Sequence, residues 1–158
     1  MPDQTRGSTD VDAQRPAPLD VPLRDAIDAL FTQAKQLIQG GDAAEGLRLA
    51  EAAWAKLPLP KFGWDVSKSY THLLARFYRQ TGYFERAIEL MNELFDSGTV
   101  KSYRYGPRFM LATLYFEKGD EAQALRWFTE ANLISKGRCF RGEDLRYQEL
   151  FRASKGED

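Results

Sequence analysis

The sequence predicts an all-α protein built from a repeated helix–turn–helix unit. Three glycines organise it. Gly41, Gly82 and Gly119 each end one helix-like stretch and start another, within GGDAAEGLRLAEAAW, TGYFERAIELMNELF and KGDEAQALRWFTEAN. The flanks echo each other. After each glycine a small residue recurs at one offset (Gly46, Ala87, Ala124), followed by Ala50, Met91 and Phe128, then Ala53, Leu94 and Ala131. Seven residues before each glycine stands Ala34, Ala75 or Ala112, and four before it Leu37, Tyr78 or Tyr115. Self-similarity of this kind marks a helical repeat protein, and no two-residue alternation of a β-strand competes with it. Such units display surfaces more often than they perform chemistry.

The elements follow in order. Residues 1–20 carry Pro2, Pro16 and Pro18 among many polar residues, and the expectation there is a disordered tail. From Val21, Leu23, Ile27, Leu30, Ala34 and Leu37 recur at three- and four-residue steps, the period of a helix with one apolar face. Gly40-Gly41 stops it, because glycine accepts the left-handed cap without a Cβ clash. A second helix is expected over Ala43–Leu57, closed by Pro58 and Pro60, which lack the amide donor. Asp65 is the expected N-cap of a third helix, with Tyr70, Leu74, Phe77 and Tyr78 on its face. A fourth carries Ala87, Ile88, Met91, Leu94 and Phe95 and stops near Ser97-Gly98. Pro107 suits the first turn of a fifth helix, where its missing N–H costs nothing. The sixth is expected over Glu121–Ser135, capped by Gly137. The last, from about Glu143 to Ala153, places Leu145, Leu150 and Phe151 on one side. A helix pair cannot bury its apolar face alone, so pairs must stack, and the seventh helix suits the end of the stack.

The totals bound the function. The chain has 158 residues, is 43% hydrophobic and 28% charged, and has a net charge of −1. That length suits one domain, expected over residues 21–154, with enough chain for a core. A near-neutral chain has no global attraction to nucleic acid or to an anionic membrane. The apolar runs are too short to span a bilayer, and the N-terminus lacks the apolar core of a secretory signal. Cys139 is the only cysteine, which excludes an internal disulfide and a multi-cysteine metal site. A cytoplasmic location, with no cofactor and no metal, is the expectation.

The spacing resembles the tetratricopeptide repeat. That family has a small residue in the first helix, a later aromatic, a turn glycine, then alanine, aromatic and alanine in the second helix. Leu74, Ala75, Tyr78, Gly82, Ala87 and Met91 match in the second unit, and Leu111, Ala112, Tyr115, Gly119, Ala124, Phe128 and Ala131 in the third. The first unit keeps Ala34, Leu37, Gly41, Ala50, Ala53 and Pro58, with Gln33 in an apolar slot. The opening apolar slot holds Thr71 and Arg108, and the turn glycines lie 41 and 37 residues apart rather than about 34. The surplus falls in PLPKFGW and GTVKSYRY, which makes two prominent loops. The resemblance covers about residues 23–136 and implies a short right-handed superhelical array of about three repeats with a C-terminal capping helix. Two segments, AWAKLPLPKFGWDVSKSY and ANLISKGRCFRGED, are also similar to those of small bacterial repeat proteins that accompany polymorphic toxins. That similarity implies an immunity protein that clamps a toxin domain.

In tetratricopeptide-like arrays the first helices line a concave groove. Mapped onto this chain, the groove would carry Phe31, Lys35, Ser69, His72, Arg76, Arg79, Phe109, Thr113, Phe116 and Glu117. Arginine and aromatic residues are enriched at binding hot spots. Arg76 and Arg79 would take acidic groups, and Phe109, Phe116 and the loop residue Trp64 apolar ones. The competing reading makes Phe31 and Phe109 core and the two arginines a solvated face. His72 is the only histidine, and neither a catalytic acid nor a nucleophile motif frames it with nearby Ser69, so it reads as structural or groove-lining. Cys139 lies between Arg138 and Arg141, which could lower its pKa, but the plainer reading is a half-buried linker residue. KSYRYGPR interleaves Lys101, Arg104 and Arg108 with Tyr103 and Tyr105, a pattern that can grip single-stranded nucleic acid. The acidic flank of Glu85, Glu89, Glu93 and Asp96 balances it, so Tyr103 and Arg104 are read as protein contacts. The expected partner is therefore another protein. A peptide adaptor and an RNA-binding regulator are the rivals, and a homodimer would bury an open end of so short an array.

Overall fold

The structure, a computed structural model, describes residues 15–156 and is all-α among them. Seven α-helices succeed one another: α1 (Val21–Gln39), α2 (Ala43–Lys56), α3 (Ser67–Thr81), α4 (Phe84–Asp96), α5 (Gly106–Lys118), α6 (Glu121–Ser135) and α7 (Leu145–Ser154). A 3₁₀ turn, Arg138–Phe140, separates α6 from α7. Its contacts fall into two compact units, up to Thr71 and from His72.

One turn recurs three times. Gly41, Gly82 and Gly119 have φ of +94°, +88° and +92°, the left-handed region that glycine enters without a Cβ clash. The amide after each glycine donates five residues back: Asp42 to Leu37 (2.8 Å), Tyr83 to Tyr78 (2.8 Å) and Asp120 to Tyr115 (2.9 Å). The glycine amides themselves donate three residues back, to Ile38, Arg79 and Phe116. This is the Schellman closure, which satisfies carbonyls left open at a helix end. The residue after the glycine then opens the next helix. Asp42 accepts from the Glu45 amide (3.3 Å) and Asp120 from the Gln123 amide (3.2 Å). Tyr83 holds the same place with no side-chain cap.

In the first unit, α1 packs on α2 around Ile27, Phe31, Ala34, Ala50 and Ala53. The recurring small residue explains its own size here. A Cβ added to Gly46 would lie 2.6 Å from Ile38 Cγ1 and 3.0 Å from the Ala34 carbonyl oxygen. The α2–α3 loop is tied by its own side chains. Lys61 Nζ donates to the carbonyls of Trp54 (2.6 Å) and Leu57 (2.7 Å), and Trp64 Nε1 donates to the Pro58 carbonyl (2.8 Å). Ser67 Oγ donates to the Lys61 carbonyl (2.6 Å) and accepts from the Trp64 amide (3.0 Å).

The tail expected over residues 1–20 falls mostly on residues outside those described. Its last part is held. Ala17 exchanges backbone hydrogen bonds with Gly63 (2.9 Å) and Asp65 (2.8 Å), and Leu19 is buried. Asp65 is not the N-cap of α3. Its carboxylate accepts from the Leu19 amide (3.4 Å), and the helix begins two residues later.

In the second unit, α4 packs on α5 and α5 on α6, while the 3₁₀ turn and α7 lie on α6. Their core is aromatic: the Phe109 ring centroid lies 5.4–6.0 Å from those of Phe128, Phe140 and Tyr147, and that of Phe128 5.5 Å from Phe140 and 5.7 Å from Tyr147. The slot where Arg108 replaces an apolar residue is filled in another way. Its guanidinium lies 5.4 Å from the Phe95 ring centroid, pairs with Glu130 (3.6 Å), and donates to the carbonyls of Arg104 (2.7 Å) and Lys101 (3.4 Å). On α7 the buried residue is Tyr147; Leu145, expected on the apolar face, is 72% exposed. Among the described residues no buried side-chain polar atom lacks a partner, and no helix is long and apolar enough to cross a membrane.

Two substitutions test this packing. Gly82→Ala places a Cβ at φ +88°, and urea unfolding should show a loss of about 1–2 kcal/mol. Gly46→Ala crowds α1 against α2 and should cost about 1–3 kcal/mol. Unchanged midpoints would contradict the turn and the close crossing respectively.

Candidate functional site

The second unit holds a cleft of about 420 Å³. α3 supplies His72, Arg76 and Arg79; Tyr105, Gly106, Phe109 and Met110 line it from the start of α5; Arg138, Cys139, Arg141 and Glu143 come from the 3₁₀ segment. Helical spacing explains the first set, since residues 72, 76 and 79 fall on one face. The last set depends on the left-handed pair Lys136 (φ +54°) and Gly137 (φ +85°), which ends α6 and turns the chain back.

The cleft is strongly basic. Four guanidiniums line it against the carboxylate of Glu143. Among the described residues none of the four has a carboxylate within ion-pair distance. Arg79 is fixed by neutral atoms: its Nη1 donates to Thr113 Oγ1 (2.6 Å) and approaches Met110 Sδ (3.6 Å). Thr113 Oγ1 in turn donates to the Met110 carbonyl (2.7 Å). Arg138 donates from Nε to the Ser135 carbonyl (3.1 Å). His72 responds to these surroundings. Burial, reinforced by the Arg76 and Arg79 charges, pushes its imidazole down to about 4, so it is neutral at physiological pH.

Some predicted site residues meet here and others do not. His72, Arg76, Arg79 and Phe109 converge on the cleft. Phe109 and Thr113 are both buried, so Phe109 presents only an edge and Thr113 orients Arg79. Phe116 and Glu117, expected in an open groove, are engaged by α7. Arg146 lies 5.2 Å from the Phe116 ring centroid and 3.0 Å from the Glu117 carboxylate, and the Tyr147 hydroxyl donates to Glu117 (3.2 Å). Burial and Glu117 push the Tyr147 phenol up to about 12, against the opposing charge of Arg79. In the first unit, Phe31 is buried against Tyr70 (5.2 Å between ring centroids), Lys35 and Ser69 are exposed, and Trp64 is half-buried with its indole N–H bonded. Phe31 and Trp64 are therefore packing and loop residues rather than free anchors.

Tyr103 and Arg104 are exposed, with the guanidinium 5.5 Å from the ring centroid, on the loop that Arg108 pins. Tyr105, two residues after Tyr103, reaches the cleft. The sequence marks Lys136, Arg138 and Arg141 as a second basic group beside KSYRYGPR but gives no signal for Glu143, and the place of Arg138, Arg141 and Glu143 in the cleft depends on the turn after α6. Arg138 and Arg141 do not activate Cys139. Burial pushes the thiol up, and Glu143 adds to that. Among the described residues no group of three His, Cys, Asp or Glu is placed to hold a metal ion. The chain matches no protein-family model, and no curated protein matches it in sequence.

The His72 imidazole resonances should titrate with a midpoint near 4, and Arg76→Gln should raise it by removing one repelling charge. The unfolded imidazole takes its proton near 6.5 and the folded one near 4. This contribution to stability is therefore full above about 6.5 and falls as the pH drops towards about 4. A folded-state midpoint of 6.5 or higher would contradict the described cleft.

Proposed function

We propose that the chain is a non-catalytic protein-binding protein, and within that class an immunity protein that binds and neutralises a toxin. The observation that carries the reading is the paired Tyr103 and Arg104, exposed on a loop that Arg108 holds in place. Tyrosine and arginine are hot-spot residues, and a pinned loop loses little entropy when it docks. Arg76, exposed at the cleft, adds a charge for an acidic group of the partner. The tetratricopeptide-like spacing supports a binding scaffold. The toxin assignment rests on the resemblance of the segments at 53–70 and 131–144, the second of which supplies Arg138 and Arg141 to the cleft.

A second reading, single-stranded RNA binding, draws on Tyr103, Arg104 and Tyr105 as a basic and aromatic run. Salt separates the two. Affinity for RNA should fall steeply as counterions compete, whereas a protein complex should lose only its charged contacts.

The test is co-purification with the product of the adjacent gene, followed by growth rescue on co-expression. A stoichiometric complex with a toxic neighbour is expected. Arg76→Glu with Arg104→Glu should then weaken it at least about tenfold while leaving the circular dichroism spectrum intact. Undiminished binding by that double variant would remove the proposed surface.

A further inference from the structure

We propose that the arginine cleft of the second unit is a binding site for a nucleoside di- or triphosphate. The inference goes beyond the protein-binding reading and does not rest on it: the two share Arg76, while the partner contacts Tyr103 and Arg104 lie outside the cleft lining.

Charge comes first. Arg76, Arg79, Arg138 and Arg141 face one space with Glu143 as the only carboxylate lining it among the described residues, a local excess of three positive charges. Arginine does not relieve such crowding by shedding its proton. The neighbouring imidazole of His72 stays neutral, chiefly through burial and in smaller part through the Arg76 and Arg79 charges. Four guanidiniums around one cleft, none of them ion-paired among the described residues, suit an anion from outside. The rest of the unit does not offer a long basic track: from His72 onward it has 14 lysines and arginines against 13 aspartates and glutamates. The anion is therefore compact. A carboxylate brings one charge, whereas each phosphate monoester brings about 1.5 to 2 with three acceptor oxygens. Linked phosphates concentrate enough charge to match the excess within a volume of about 420 Å³, a size usual for small-molecule sites. Guanidinium forks suit phosphate oxygens bidentately.

The remaining lining points to the nucleoside. Tyr105 is 39% exposed and offers an aromatic face to a flat base. Glu143 disfavours an anion on its own side but accepts from a sugar hydroxyl or a base amine. His72, neutral, both donates and accepts. A phosphate at the arginines with a polar, aromatic body towards Tyr105 and Glu143 uses every group; inorganic diphosphate leaves half of them idle.

The experiment is calorimetric titration of the full chain at low salt with ADP, inorganic diphosphate, adenosine and citrate. ADP is expected to bind in the micromolar range, diphosphate about tenfold more weakly, and adenosine not measurably. His72, the only histidine, gives an independent reading, because a bound anion should move its imidazole resonances and raise their titration midpoint. Arg76→Gln with Arg141→Gln, both exposed side chains, should weaken ADP at least about tenfold with unchanged thermal unfolding. Tyr105→Leu should weaken ADP and leave diphosphate unaffected. No heat with ADP at about 1 mM would overturn the proposal. So would equal affinities for ADP and diphosphate, citrate binding as tightly as ADP, or ADP binding that leaves His72 unmoved. None of these outcomes bears on whether the toxin partner binds.

Discussion

The left-handed glycine turn is the constraint on which the rest depends. At Gly41, Gly82 and Gly119 one residue later serves two helices at once, closing the first with its amide and opening the second. With no spare residue in the turn, the two helices must fold back closely. Close helices demand small side chains where they cross, which is why Gly46, Ala87 and Ala124 recur at one offset and why the alanines are fully buried. The turn thus dictates the packing, and the packing dictates which side chains remain outside. The third turn does more, because the cleft is built from the start of the helix before it and from the segment after α6, the helix that follows it.

Charge then divides the second unit into two kinds of arginine. Arg108 and Arg146 are committed to structure: one lies over Phe95 and holds a loop, the other lies over Phe116 and pairs with Glu117 and Asp144. Their cations are matched by carboxylates, by carbonyls or by ring faces. Arg76, Arg79, Arg138 and Arg141 have no carboxylate within ion-pair distance among the described residues, and Arg138 has only the Ser135 carbonyl. Arg76, Arg138 and Arg141 are exposed and Arg79 is half-buried, so water screens their mutual repulsion. Thr113 and Met110 orient Arg79 without neutralising it, which suits a group kept ready rather than one satisfied.

Much of this was legible in the sequence, for a physical reason. Helix periodicity and cap chemistry are local, so the helix order, the glycine turns and the place of Pro107 can be read without tertiary knowledge. The face of α3 carrying His72, Arg76 and Arg79 was readable for the same reason. What failed was non-local. Asp65 reads as a cap but is taken by the Leu19 amide, 46 positions away in the chain. Trp64 reads as an exposed anchor but its N–H closes its own loop. Phe116 and Glu117 read as groove residues because nothing local says that α7 covers them. On α7 itself, Leu145 and Tyr147 lie two positions apart and local periodicity does not choose between them; Tyr147 packs on Phe109 and Phe128 while Leu145 is 72% exposed.

The same non-local step decides which side chains stay accessible. α7 closes over Phe116 and Glu117, and the Tyr147 ring joins Phe109, Phe128 and Phe140. That closure half-buries the far half of the α5 face. It leaves the near half, around Tyr105 and Gly106, open to the cleft. The 3₁₀ segment between α6 and α7 then brings Arg138 and Arg141 to the arginines of α3, with Cys139 and Phe140 buried beneath as its anchor. An inert, buried thiol is what that anchor needs, and the raised Cys139 pKa fits packing rather than chemistry. One short segment thus seals the aromatic core on its inner side and completes the basic cleft on its outer side.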